Sequence, residues 1–195
     1  MDTWHFLFVY SADVWVLGDS IPHWAGSRAV DTGKRNLCLP GTTHIGWWGV
    51  WGLTWSRLRE VIQVNVTLNV PPRIIFIHLG GNDIVDLKTT AIINAIEREV
   101  SYLRAAFPQT TIVWVDILDR LSWGLHSYSP KQLKKKLKRI NDFGRQQVRQ
   151  ERHQVLTMDI TPETKGFYYV DGVHLSDVGL EMYLDFIRDT ILELS

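Results

Sequence analysis

A serine, an asparagine and an Asp-x-x-His pair are the residues of this chain whose types and spacing suit chemistry on a carbonyl. Ser20 follows the apolar run Val14–Leu17 by way of Gly18 and Asp19. Asn82 stands at the end of a second apolar run, in HLGGND, and Asp171 and His174 fall in DGVH. A serine hydroxyl is a weak nucleophile until a base takes its proton, and that base works best when a third group orients it. His174 is the candidate base and Asp171 its partner. One turn of chain between them brings the carboxylate to Nδ1 and leaves Nε2 for Ser20. Acyl transfer also needs donors aimed at the oxyanion. Three are on offer: the Ser20 N–H, a backbone N–H in the loop after the second strand, and the Asn82 side-chain amide. Each residue has a plainer reading as well. Ser20 suits a helix cap, Asn82 suits a turn with Asp83, and Asp19 and Asp83 suit bonds to loop backbone.

These groups are far apart in sequence, so the elements between them must gather them. Five apolar, β-branched runs recur: VWVLG (14–18), THIGWWG (43–49), RIIFIHLG (73–80), TIVWVDI (111–117) and HQVLTMDI (153–160). Most are continuously apolar, the mark of parallel strands covered on both faces. Segments of helical period lie between and after them, at Leu53–Val64, Ala91–Phe107, Leu133–Val148 and Asp177–Leu194. Alternating strands and helices predict a three-layer α/β domain with right-handed crossovers, one domain over 1–195. In such sheets the working loops lie beyond the carboxyl ends of the strands. GDS, HLGGND and DGVH are therefore expected at one rim.

Four blocks together carry a family resemblance. Gly18-Asp19-Ser20-Ile21, the glycines of WWGVWGLTW, Gly80-Gly81-Asn82-Asp83 and Asp171-Gly172-Val173-His174 resemble, in order, the blocks of the SGNH (GDSL-type) hydrolases. The resemblance runs from about Val14 to the final helix. It implies a flavodoxin-like α/β/α fold with a five-stranded parallel sheet and an ester hydrolase without cofactor. Carried over, Ser20 is the nucleophile and an oxyanion donor, Asn82 a second donor, His174 the base and Asp171 its orienter. The Gly-x-x-Gly pattern before a helix favours Gly52 over Gly49 as the third donor. Trp51 is bulkier than the small residue usual there. The chain is also similar to the esterase domains in first-open-reading-frame proteins of some vertebrate LINE-type retrotransposons. Those domains resemble platelet-activating-factor acetylhydrolases.

The totals are those of an ordinary globular protein: 195 residues, 45% hydrophobic, 22% charged, net charge zero. No global field draws it to nucleic acid or membrane. One cysteine, Cys38, excludes an internal disulfide framework. MDTWHFLFVY lacks the basic start and cleavage site of a signal peptide, and the expectation is a soluble, cytoplasmic domain. Trp24, Trp47, Trp48, Trp51 and Trp55 cluster in one stretch. They either fill the core or line an apolar pocket, and crowding by Trp47, Trp48 and Trp51 favours a small acyl group, acetyl above all. The expected partner is a small ester, of a lipid or an acetylated sugar.

Lys131, Lys134, Lys135, Lys136, Lys138 and Arg139 form the one strong charge run. It reads as a solvated face, or as a patch for RNA phosphates or anionic lipid headgroups; the rival reading of the whole chain is a catalytically silent module that binds RNA or lipid through this helix. LSWGLHSYSP (121–130) is either a lid or a surface loop. His23, three residues after Ser20, either faces the pocket or takes a surface helix position, and the surface position is favoured. His44, His78 and His126 belong to no motif, and no pair has metal-ligand spacing. A flavin site is disfavoured because the loop after VWVLG has no phosphate cradle.

Overall fold

The structure is a computed structural model describing residues 12–41, 43–68 (66–68 as backbone only), 70–124, 128–149 and 153–195. Five parallel strands form one sheet: β1 (Val14–Gly18), β2 (Ile45–Gly49), β3 (Ile74–His78), β4 (Thr111–Val115) and β5 (Gln154–Leu156). Their spatial order is β2-β1-β3-β4-β5. β1 is an interior strand, paired Val14 to Ile45 on one side and Val14 to Ile74 on the other. Every residue of β1 and β3 is buried, as their uninterrupted apolar sequences require.

Successive side chains of a strand face opposite ways. Trp15, Leu17, Ile75, Ile77 and Trp114 enter one core with the helices α2 (Leu58–Leu68), α3 (Gly81–Asp86), α4 (Thr89–Ala106) and α5 (Pro130–Val148). Val14, Val16, Phe76 and Val113 enter the other with α1 (Ser20–Asp31) and α6 (Asp177–Glu193). The result is the expected α/β/α sandwich with a five-stranded parallel sheet.

Sequence signals set several helix starts. Ser129 and Gln132 form a capping box on α5 with Pro130 at the first helical position. The Ser176 hydroxyl accepts from the Gly179 N–H at the start of α6. Two elements depart from expectation. β5 spans three residues, not the eight of HQVLTMDI, because at the sheet edge it pairs with β4 alone. Beyond it Thr157 turns its hydroxyl onto the Asp116 carboxylate. The GGND segment, where a turn of Asn82 with Asp83 was the plainer alternative, continues as the short helix α3.

Trp47 and Trp48 are neighbours on β2, so they must point to opposite faces. Trp48 meets Trp15 edge to face at 6.3 Å in one core, and Trp47 packs on the other, its indole N–H donating to the Arg35 carbonyl. The expectation that both crowd the site is therefore corrected. Trp55 is fully buried and stacks on Trp114 at 5.8 Å. No helix among the described residues is long and apolar enough to cross a membrane.

Candidate active site

Ser20 is the first residue of α1, immediately past the end of β1. Gly18 permits this sharp exit, since a Cβ there would overlap the His78 carbonyl of β3. Asp19 is the cap: its Oδ1 accepts the Ile21 N–H at 3.2 Å, and its own N–H donates to the His78 carbonyl at 3.3 Å. The plainer reading of Ser20 as helix cap thus passes to Asp19. Ser20 sits one position later, where a helical N–H has no intrahelical acceptor. Its side chain is 8% exposed.

The chain leaving β2 turns beside it. The Val50 N–H donates to the Gly18 carbonyl at 2.9 Å, and the Leu53 N–H closes a turn onto the Val50 carbonyl at 3.1 Å. Gly52 lies in that turn at φ +64°, a left-handed conformation that glycine adopts without strain. Gly49 is a packing glycine, because a Cβ there would overlap the backbone of His23. From α3, the Asn82 amide donates one N–H to the Leu53 carbonyl at 3.0 Å. An amide has two such hydrogens, so one remains. Asp83 beside it accepts the Trp55 N–H at 3.2 Å. Burial pushes the Asp83 carboxyl up to about 6 despite that bond, with the Asp19 and Asp86 charges adding to the rise. Asn82 and Asp83 together grip the backbone of 53–55.

DGVH forms a tight loop before α6. The Gly172 N–H donates to the Tyr169 carbonyl at 3.0 Å. Asp171 Oδ1 accepts the N–H groups of Val173 and His174 at 2.8 and 3.0 Å, and Oδ2 lies 2.8 Å from His174 Nδ1. Partial burial raises the Asp171 pKa, but the hydrogen bonds from the His174 ring and from the backbone of His174 and Val173 outweigh it and hold it at about 2. An ionised carboxylate only accepts, so neutral His174 carries its proton on Nδ1 and presents the Nε2 lone pair.

The three loops meet at the carboxyl-terminal rim of the sheet. The Trp51 ring lies 6.1 Å from that of His174, and His174 and Asp19 are within electrostatic reach of each other. No hydrogen bond joins Ser20 to His174 among the described residues. Such bonds are often long without substrate and tighten on binding. Trp51 is 56% exposed and joins Trp24 and His23 in an aromatic group at the mouth. His23 also bonds the Gly49 carbonyl through Nδ1 at 3.3 Å.

Two buried groups at this rim have no place in the sequence reading. Arg120, beyond β4, is 9% exposed, with Nη2 3.9 Å from Asp19 Oδ2. Its position five residues past the end of TIVWV was the only available signal. His78, the last residue of β3, bonds the Tyr183 hydroxyl through Nδ1 at 3.2 Å and stacks on that ring. Burial, with the Arg120 charge, lowers its pKa to about 3, and the ring stays neutral.

The basic run is less uniform than its sequence. Lys136 is buried, donates to the Ile84 and Leu87 carbonyls at the end of α3 and lies 4.4 Å from the Tyr128 ring centre. Its assignment to a surface patch is corrected. Lys134 pairs with Asp119 and Glu163, and Lys138 with Asp142. Lys131, Lys135 and Arg139 are exposed. A cleft of about 370 Å³ between Asp119 and α5 is lined by Lys134 and Lys138 of the basic run but by none of Ser20, Gly52, Asn82, Asp171 and His174. His44 is a surface partner of Asp13, and His126 lies outside the described residues. Of LSWGLHSYSP, 125–127 also lie outside them, and the Ser122 N–H donates to the Gly172 carbonyl at 3.0 Å.

No family model and no curated protein matches this sequence. Solved structures do. One described as a platelet activating factor from Streptococcus pneumonia superposes with a TM-score of 0.75 at 18% identity, covering 95% of this chain and 86% of that one. The lipase/acylhydrolase from Enterococcus faecalis gives 0.68 at 19% identity, covering 94% and 95%. A GDSL-like lipase from Bacteroides thetaiotaomicron gives 0.66 at 16% identity, covering 95% and 89%. The fold of this chain is that of the GDSL/SGNH lipases and acylhydrolases.

Proposed function

We propose that the chain is a serine hydrolase of carboxylic esters, acting through Ser20, His174 and Asp171. The reading rests above all on the 2.8 Å contact between His174 Nδ1 and a carboxylate whose other oxygen holds two backbone N–H groups. That arrangement leaves a basic Nε2 at the rim that also carries Ser20. In the first half-reaction Ser20 Oγ bonds to the ester carbonyl carbon while its proton passes to Nε2. The oxyanion is held by the N–H groups of Ser20 and Gly52 and by the remaining amide hydrogen of Asn82. The tetrahedral intermediate breaks its C–O bond to the alcohol, which leaves with the proton from His174. Water then repeats the sequence on the acyl-serine and releases the acid. Asp171 stays ionised throughout and stabilises the imidazolium.

Small acyl groups, acetyl first, are the preferred substrates, as esters of a lipid or a sugar. Trp51, at the mouth beside Gly52 and His174, is the bulky residue that supports this preference. Hydrolysis of p-nitrophenyl acetate and its longer-chain homologues tests both parts, with Ser20→Ala as control. Acetate turnover lost in Ser20→Ala with the fold retained is expected. Turnover unchanged in that variant removes the nucleophile assignment, and faster cleavage of long-chain esters removes the acyl preference.

A further inference from the structure

Arg120 is a guanidinium nine-tenths buried at the rim of the sheet, where desolvation is unfavourable unless its surroundings compensate the charge. Its environment explains the placement. Asp19 Oδ2 is 3.9 Å from Nη2, and Asp19 itself is 2% exposed. Gly81 is bare because a Cβ there would overlap the guanidinium. The Trp123 ring centre lies 5.1 Å from Cζ, and Asp171, Tyr168 and His78 are within electrostatic reach. The segment carrying Arg120 is tied to the His174 loop. The Ser122 N–H donates to the Gly172 carbonyl, and the Tyr168 hydroxyl donates to the Asp119 carbonyl at 2.6 Å. Arg120 therefore meets the Ser20 loop through Asp19 and the Asn82 loop through Gly81, and the backbone of its neighbours Asp119 and Ser122 ties its segment to the loop of Asp171 and His174.

We infer that Arg120 is a positioning residue, a buried cation that fixes Asp19 and locks the three loops so that Ser20, Asn82 and His174 share one register. It touches neither the substrate nor the reacting atoms, and the inference rests on the esterase reading above. A lone buried carboxylate at position 19 would recruit a proton or turn outward, and Ser20, the next residue, would move with it. Displacements near 1 Å at a reacting centre can cost about 10²-fold in rate.

Steady-state kinetics on p-nitrophenyl acetate, using the full chain, test the assignment with Arg120→Met and Arg120→Lys. The Met variant, similar in length but uncharged, is expected to lower kcat by about 10–100-fold with KM within about twofold. The Lys variant recovers at least part of that loss. The double variant Asp19→Asn/Arg120→Met exceeds the single Met variant, since no buried carboxylate is left unpaired. Should Arg120→Met not fold, Gly81→Ala displaces the same guanidinium, and the same kcat-only loss is expected. A wild-type kcat in the Met variant overturns the inference. So does a rise in KM alone, which would make Arg120 a substrate contact, or equal losses in the Met and Lys variants, which would make it packing. An inactive wild-type protein defeats the esterase reading instead. The low-field proton resonance of His174 Nδ1–H, assigned by its loss in His174→Gln, then reads the positioning directly. It is expected to persist in Arg120→Lys and to broaden or shift in Arg120→Met; an unchanged resonance in the Met variant overturns the inference.

Discussion

Replacing Asp171 by Asn separates the two tasks of that side chain. Its Oδ1 holds the backbone N–H groups of Val173 and His174, and its Oδ2 faces His174 Nδ1. Asparagine keeps an oxygen for the backbone pair but presents an NH₂ to the imidazole. Two donors cannot face each other, so His174 must move its proton to Nε2, where it can no longer accept from Ser20. The expected loss in kcat on p-nitrophenyl acetate is on the order of 10³–10⁴-fold with KM little changed, the range for a triad locked in the wrong tautomer. The stability cost is much smaller. Asp171 is held at about 2 against an ordinary 3.8, a ceiling of about 2.4 kcal/mol. The side chain is 46% exposed, and solvent screening reduces this to about 1 kcal/mol, or about 2–4 °C in Tm. Because the folded pKa is depressed, this stabilisation is complete above pH 3.8 and fades as the pH falls toward 2. Kinetics and a thermal melt on the same preparation check both figures. An Asp171→Asn enzyme retaining more than about a tenth of wild-type kcat would refute the reasoning, because its base would need no orienter.

Gly144→Ala places a Cβ inside the buried Trp114 ring, which is pinned by its stack on Trp55. Overpacking of about 1–3 kcal/mol is expected in urea melts even after the helix-propensity gain of alanine, and a stabilised variant would show that the ring yields. Asp83→Asn keeps an acceptor for the Trp55 N–H without burying a charge. Since the carboxyl is raised to about 6, its stabilising contribution is complete below pH 3.8 and lost as the pH rises through 6. The Asn variant should then be more stable than wild type by up to about 3 kcal/mol at pH 7.5 and nearly equal to it at pH 4. Equal melts at both pH values would contradict the burial argument.

The sheet and the Asp171–His174 contact were legible because both are local in sequence: continuous apolar runs for strands, and three-residue spacing for a turn that returns a carboxylate to a ring. Lys136 was misread despite a local signal. Leu133, Lys136, Leu137 and Ile140 share one helical stripe, which places the lysine on the buried face, where it meets the carbonyl ends of α3. Trp47 and Trp48 were likewise misjudged against the two-residue period of their own strand. α3 escaped because glycine, asparagine and aspartate favour turns over helix interiors. Arg120 was legible only as a residue in the loop after a strand. Its burial is created by Gly81, Asp19 and Trp123, which come from three separate loops.

Arg28 joins the two helices that flank the chemistry. From α1 it contacts Asp177 at 2.9 Å and Glu181 at 2.7 Å on α6. Ser20 opens the first of these helices, and His174 lies just ahead of the second, about 150 residues later. Closing so long a loop is entropically slow, so contacts across it belong to the late part of folding. Ser20 can be seated at the carboxyl-terminal rim of a nearly finished sheet while His174 is still unplaced. On the esterase reading, loosening of the α1–α6 seam is expected to abolish ester hydrolysis before the sheet opens, so activity would report on that seam more sensitively than global unfolding does.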